Sequence, residues 1–125
     1  MKRNQRLRSA ADFRYAREHA PHGWPHPLLV LYVVPNELDR IRVGITVSSR
    51  VGNAVVRNRV RRRLRAAVQA RLARLAPGFD LLLVARPASA RAAWGDLSAA
   101  LDSVLARAGA TRAIPLDVQA GTQRA

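Results

Sequence analysis

Two neighbouring segments of the chain have the residue pattern of β-strands. Leu28 to Val34 is a continuous apolar run that Pro35 ends, as is typical of a strand covered on at least one face. From Ile41 to Ser48, apolar residues alternate with Arg, Gly, Thr and Ser, which indicates one buried and one polar face. Because only a short turn separates the two runs, they are predicted to form an antiparallel hairpin whose polar face is open.

The rest of the chain alternates helical and strand patterns. Ser9 to Asp12 has the form of a capping box and predicts a helix from about Ala10 to His19. A second helix, the longest, is predicted from Ala54 to Ala76, because its apolar residues recur at helical spacing. Residues 79–85 form another strand-like apolar run. Asp96 is the expected cap of a last helix that ends at Gly109.

Length and composition favour one cytoplasmic domain. A chain of 125 residues has room for one core, expected over residues 1–109, and residues 110–125 lack periodicity and are expected to form a flexible tail. The chain contains no cysteine, which excludes disulfides and thiolate sites and favours a reducing cytoplasm. Its apolar runs are only strand-sized, so no membrane association is expected.

The net charge of the chain indicates what kind of partner it binds. The 22 basic residues against 8 acidic ones give a net charge of +14, which favours binding to a polyanion such as nucleic acid. From Ile41 to Phe79 there are ten arginines and no acid. Solvated protein surfaces usually mix the two signs, so this stretch indicates a polyanion site.

Six arginines crowd nine positions of the longest predicted helix. Helical spacing places five of them on two flanks of the apolar stripe, with Arg61, Arg62 and Arg65 beside Asn58 on one flank and Arg59 and Arg63 on the other. Like charges at this density destabilise an isolated helix. Phosphate binding can offset that cost, because the guanidinium fork matches phosphate geometry.

The segment from Val51 to Arg65, centred on Arg57-Asn58-Arg59, resembles the signature of the ribonuclease P protein subunit. The resemblance extends in order from Leu7 to Leu105 and includes Arg42-Val43-Gly44. It implies an α+β fold, a two-layer α/β sandwich similar to ribosomal-protein domains. In that fold the central sheet has a left-handed crossover that carries the arginine-rich helix, although right-handed crossovers are the general rule.

The resemblance also implies a function. In this family the RNA subunit performs magnesium-assisted hydrolysis that removes the 5′ leader of precursor tRNA. The protein, expected as one copy per RNA, steadies the catalytic RNA with the arginine helix and holds the single-stranded leader between its first helix and the open sheet face. The implied cleft residues are Phe13, Arg17, Tyr32, Thr46 and Ser48. The implied RNA-binding residues are Arg50, Arg57, Asn58, Arg59, Arg61, Arg62, Arg63 and Arg65.

The chain departs from the family pattern at two positions. Arg17 stands where members often have a second aromatic residue, and Ser49 stands where they often have lysine. Weaker stacking and stronger phosphate contact at Arg17 are expected in the cleft. Phe13 fits an ordinary core position as well as it fits a base platform.

No catalytic or metal-binding constellation is visible in the sequence. The three histidines lie in or beside one loop, without a carboxylate or cysteine at ligand spacing. Paired acids, a serine nucleophile elbow and a glycine-rich phosphate loop are also missing. Two alternatives stay open: a ribosome-associated RNA-binding protein of similar fold, and a DNA-binding protein, which the lack of a helix-turn-helix or zipper pattern disfavours.

Overall fold

The computed structural model describes residues 3–7, 9–20 and 23–110. The four strands are β1 (Gly23–Pro25), β2 (Leu29–Pro35), β3 (Arg42–Thr46) and β4 (Phe79–Ala85). The three α-helices are α1 (Ala10–His19), α2 (Ala54–Arg71) and α3 (Trp94–Ala108). Single turns of 3-10 helix occupy Arg3–Gln5, Leu72–Arg74 and Pro87–Arg91. The expected tail lies almost entirely outside the described residues, and the domain boundary stays a prediction.

The strands form one sheet in the order β1-β2-β4-β3. The predicted hairpin of the Leu28 and Ile41 segments is therefore wrong, because β4 lies between β2 and β3. β4 pairs antiparallel with β2 and parallel with β3. A run of apolar residues that is buried on both faces suits a central strand, and β4 has that composition. The alternating β3 has one polar face and lies at the edge.

The elements begin and end close to their predicted positions, with three corrections. Gly23–Pro25, which lies outside the predicted strands, pairs with β2 as a short edge strand. α2 ends at Arg71, and the predicted last turn to Ala76 is replaced by the 3-10 turn and an extended residue. α3 begins two residues before Asp96, with Ala93 as its N-cap. Asp96 lies in the first turn, where an acidic side chain complements the helix dipole.

The main core lies between the sheet and the helices α2 and α3. Its buried residues include Leu29 and Leu31 from β2, Leu83 from β4, Leu64 from α2 and Leu101 from α3. These two layers, helices on a mixed sheet, confirm the α+β architecture expected from the resemblance. The handedness of the crossover that joins β3 to β4 through α2 stays a prediction.

The opposite face of the sheet is only partly covered. There α1 buries Ala16 against Val34 and Leu82, with Phe13 and Tyr32 at the margin of this small cluster. The Ser9 hydroxyl caps α1 by accepting a hydrogen bond from the Asp12 amide at 3.0 Å, as predicted. This arrangement leaves a cleft along the margin of α1.

Candidate RNA-binding surfaces

The N-terminus of α2 is fixed by a side-chain cap and a close backbone contact, just before the crowded arginines begin. Asn53 is the N-cap, and its Oδ1 accepts a hydrogen bond from the Val56 amide at 3.0 Å. A Cβ at Gly52 would lie 2.9 Å from the Val56 Cβ, so a side chain at that position would collide with the first turn. The Gly-Asn pair therefore allows β3 to turn tightly into α2.

The predicted apolar stripe of α2 is confirmed and determines which way the arginines point. Val60, Leu64, Ala67 and Val68 are buried against the sheet and α3, and Val56 is half-buried beside them. Side chains on the two flanks of the stripe consequently remain at the surface. Arg62 is exposed, while the other five arginines of the crowded segment are half-buried.

On the flank with Asn58, two arginines make local hydrogen bonds and two make none. Arg61 Nη1 donates to Asn58 Oδ1 at 2.9 Å, and Arg57 Nε donates to the Gly52 carbonyl at 3.2 Å. Arg62 and Arg65 make no hydrogen bond or ion pair within the described part of the chain. Each of these guanidinium groups keeps several N–H donors for a ligand.

The opposite flank contacts the segment that precedes α3. Arg59 Nη2 donates to the Ala90 carbonyl at 2.9 Å, and Arg63 Nη1 donates to the Ala92 carbonyl at 3.1 Å. Both arginines therefore help to hold this segment against α2. The spacing of charges along the helix could not predict these contacts, because the acceptors are backbone carbonyls of an irregular segment far along the chain.

None of the six crowded arginines pairs with an acid among residues 3–7, 9–20 and 23–110. Ion pairs in this part of the chain involve Arg42 and Arg71 instead. An exposed positive surface without acidic partners attracts phosphates through an unshielded field. Arg50, which is also exposed, adds to this surface from the turn that precedes α2.

The second surface is the cleft between α1 and the sheet. In the register of the sheet, Tyr32, Leu82 and Gly44 form one row, and Val30, Val84 and Thr46 form the next. The first row lies beside α1. The second row is only half-buried or exposed, and this makes it the open end of the cleft.

Phe13 and Arg17 extend from α1 over this face. A Cβ at Gly44 would lie 2.7 Å from Phe13 Cε1, so the phenyl ring packs directly on the β3 backbone. The Arg17 guanidinium carbon lies 4.6 Å from the centroid of the Tyr32 ring, within cation-π distance. Phe13 thus contributes to the floor of the cleft, while Arg17 and Tyr32 form its rim.

Thr46 is the last residue of β3 and Ser48 follows it by two residues, and both are exposed. The Thr46 hydroxyl is 3.4 Å from the Leu83 carbonyl, and the Ser48 hydroxyl accepts a hydrogen bond from the Arg50 amide at 3.3 Å. The sheet therefore brings Tyr32 and Thr46 to the face that carries α1, and the chain continues from Thr46 through Ser48 towards the start of α2.

A half-buried ion pair lies at the other end of this face, one row beyond Tyr32, Leu82 and Gly44. Arg42 donates two hydrogen bonds to the Asp80 carboxylate, at 2.8 and 2.7 Å, and approaches Asp12 of α1 at 3.8 Å. The hydrogen bonds to Asp80 raise the pKa of Arg42, against the opposing effect of its burial. This cluster ties α1 to β3 and β4.

Comparison with known proteins shows to which family this chain belongs. The model of the family Ribonuclease P matches residues 1–109. The chain belongs to the ribonuclease P protein family.

Relatives and solved structures agree with this assignment. The ribonuclease P protein component of Herpetosiphon aurantiacus is 42% identical over 108 residues, which are 86% of this chain and 87% of the relative. That of Roseiflexus castenholzii is 41% identical over 110 residues, covering 87% of this chain and 89% of the relative. The Staphylococcus aureus RNase P protein has a structure similar to this chain, with a TM-score of 0.78, 28% identity, and coverage of 85% of this chain and 96% of that one.

As a ribonuclease P protein, the chain is a subunit of a ribonucleoprotein enzyme, associates with ribonuclease P RNA and acts in tRNA 5′ processing. This membership decides against the ribosome-associated and DNA-binding alternatives. No helix in the described part of the molecule is long and apolar enough to cross a membrane.

The arginines of a ribonuclease P protein need not all face RNA, and Arg71 shows the difference. It is buried at the end of α2, where its Nε donates to Asp102 Oδ1 at 2.6 Å and its Nη2 donates to the Ser98 hydroxyl at 2.5 Å. The hydrogen bond from Arg71 lowers the pKa of Asp102, and the same bond raises the pKa of Arg71. This pair joins α2 to α3 and is structural.

Proposed function

We propose that the arginine-rich face of α2 binds folded ribonuclease P RNA. The observation that supports this most directly is a set of guanidinium groups that lack an acidic partner within the described residues. They lie along a helix whose apolar stripe is buried. Phosphates of a folded RNA lie close together, so a row of guanidinium groups on one helix can neutralise several of them at once. Arg50, Arg57, Asn58, Arg61, Arg62 and Arg65 form the outward flank that makes these contacts, and Arg59 and Arg63 add their remaining N–H groups from the other flank.

The cleft along α1 is proposed as the site for the single-stranded 5′ leader of precursor tRNA. Its open end offers apolar surface from Val30 and Val84 and a hydroxyl from Thr46, which suit an extended strand with unstacked bases. Arg17 covers one face of the Tyr32 ring, so a base stacks on the exposed remainder of the ring or on the guanidinium plane. Arg17 also places a positive charge where the leader backbone would pass, which fits its position in place of a second aromatic residue.

Catalysis is assigned to the RNA subunit acting with magnesium, in a complex of one protein per RNA, in the cytoplasm. Within the described residues, no group of three or more His, Cys, Asp or Glu side chains could hold a metal ion. The acids that α1 and the sheet bring together are held by Arg42 instead. In this proposal the protein contributes binding and orientation, and the RNA subunit holds the magnesium.

Reconstitution tests this division of roles. Ribonuclease P RNA and a precursor tRNA are combined at low magnesium with and without the protein, and cleavage at the 5′ end of the mature sequence is followed over time. We expect the protein to accelerate cleavage when the RNA is present and to cleave nothing by itself. Cleavage by the RNA-free protein, or no effect of the protein at any magnesium concentration, would contradict the proposal.

A further inference from the structure

The segment between β4 and α3 forms a fixed extension of the arginine-rich face. Its carbonyls at Ala90 and Ala92 accept hydrogen bonds from Arg59 and Arg63, which lie one helical turn apart. Within the segment, the buried Ser89 hydroxyl donates to the Arg86 carbonyl at 2.7 Å. These contacts order the backbone on both sides of Arg91, so the position of Arg91 relative to α2 is defined.

Two side chains, one in this extension and one at the first residue of α3, are exposed and lack a partner. Arg91 is exposed and Trp94 is 45% exposed, and neither makes a hydrogen bond, ion pair or ring contact within the described residues. Asp96 lines the same shallow groove as Arg91, but no ion pair within 4.0 Å joins them. Exposed tryptophan leaves a large apolar surface in water, and tryptophan with such exposure is enriched where proteins bind partners.

We propose that Arg91 and Trp94 extend the RNA-binding surface of α2, with an unpaired nucleotide of ribonuclease P RNA stacked on the Trp94 indole and a phosphate beside Arg91. Indole rings stack on any unpaired base, and a guanidinium group without an acidic partner binds phosphate. This inference rests on the proposed role of α2. It adds a second contact region and a second type of contact to that role.

The position of the extension favours ribonuclease P RNA, rather than the 5′ leader, as its ligand. α2 and α3 pack on one face of the sheet, whereas α1 and its cleft lie on the other. A ligand on Arg91 and Trp94 is therefore continuous with a ligand on α2 and separated from the cleft by the thickness of the sheet. Arg59 and Arg63 act here as positioning residues, because each uses one N–H to place the extension.

The test compares single variants in a binding titration of ribonuclease P RNA over a range of salt concentrations. Trp94→Ala should weaken binding roughly 5- to 100-fold, with the salt dependence unchanged, since stacking releases no counterions. Trp94→Phe should retain most of the affinity. Arg91→Gln should reduce the slope of log K against log salt concentration by roughly 0.7 to 0.9, the value for one phosphate contact.

Matched controls come from α1 on the opposite face of the sheet. Tyr15→Ala removes a comparably exposed aromatic ring, 51% exposed, and Arg14→Gln removes one exposed positive charge. Both should bind ribonuclease P RNA like the wild type. Circular dichroism spectra of all variants establish that the fold is retained, as expected for surface side chains.

The outcomes separate this inference from the role of α2. If Trp94→Ala and Arg91→Gln bind like the controls while Arg62→Ala is weakened, the extension is not a contact region and the role of α2 stands. If Arg62→Ala also binds like the wild type, the role of α2 fails as well. If Trp94→Ala affects only the binding of precursor tRNA to the assembled enzyme, the assignment to ribonuclease P RNA is wrong.

Discussion

The guanidinium group of Arg17 lies over the ring of Tyr32, with its central carbon 4.6 Å from the ring centroid. One residue comes from α1 and the other from β2, so this contact spans the cleft margin and links the helix to the sheet. An aromatic residue at position 17 would meet Tyr32 as a second ring. Arginine instead gives the cleft a positive rim.

The first prediction concerns leader recognition. Tyr32→Ala should weaken the binding of a leader-bearing precursor tRNA to the assembled enzyme by roughly 5- to 100-fold and affect mature tRNA much less. The effect should persist when the leader sequence is scrambled, because ring faces and backbone are recognised rather than base edges. Equal losses for precursor and mature tRNA would assign Tyr32 to the core alone.

A second prediction concerns the cation at the rim. Arg17→Gln should reduce the salt dependence of precursor binding, whereas binding of mature tRNA should keep its salt dependence. The exposed Arg14→Gln on the same helix is the matched control and should leave both unchanged. An identical response of the two variants would show that Arg17 acts only through the overall charge.

The third prediction separates the two flanks of α2. Arg59→Ala should lower the free energy of unfolding by about 1 kcal/mol, because it removes a half-buried hydrogen bond to the Ala90 carbonyl. Arg62→Ala should not lower it, since its side chain is exposed and makes no hydrogen bond or ion pair within the described residues. Urea denaturation of both variants measures the difference. Equal stabilities would show that the carbonyl contact contributes nothing.

The fourth prediction follows from the close packing of Phe13 on Gly44. Gly44→Ala places a methyl group where Phe13 Cε1 lies only 2.7 Å away, so we expect destabilisation of roughly 1–3 kcal/mol. Combining it with Phe13→Leu should recover part of the loss, because the smaller side chain relieves the collision. If the loss of stability in the double variant equals the sum of the two single losses, Phe13 does not pack on position 44.

The fifth prediction concerns pH. The pKa of Asp102 is lowered by Arg71, so the pair stabilises the fold fully above the ordinary value of 3.8 and loses this contribution as the pH falls through the lower folded pKa. Asp102→Asn should therefore reduce thermal stability at pH 7 and have a smaller effect at pH 2 to 3. A constant difference across that range would contradict the role of the ion pair.

Local pattern predicted the helices and strands well, because each depends on neighbouring residues. The serine cap of α1, the apolar stripe of α2 and the strand-sized run of β4 are all confirmed at nearly the expected positions. The hairpin prediction failed because pairing is decided over long distances. Two consecutive strands with a short turn usually pair, yet β4 has the more completely apolar surface and takes the central position.

The sequence indicated which residues belong to the candidate sites, but it did not indicate which atoms those residues contact. Charge density and the Arg57-Asn58-Arg59 motif indicated α2, and alternation indicated the open face of β3. Carbonyl acceptors for Arg59 and Arg63 lie about thirty residues away in an irregular segment, where no periodicity marks them. Arg91 lies in the same segment and Trp94 is the first residue of α3, and their place beside the arginine-rich face is known only once that segment is packed against α2.

The central claim, that unpaired arginines of α2 bind ribonuclease P RNA, is tested most directly by the salt dependence of that binding. The affinity of the wild type, Arg62→Ala and the control Arg14→Gln is measured across a series of salt concentrations. We predict a steep loss of wild-type affinity with salt, weaker binding and a slope reduced by roughly 0.7 to 0.9 for Arg62→Ala, and no change for Arg14→Gln. A wild-type slope near zero, or an Arg62→Ala variant that matches the wild type, would contradict the claim.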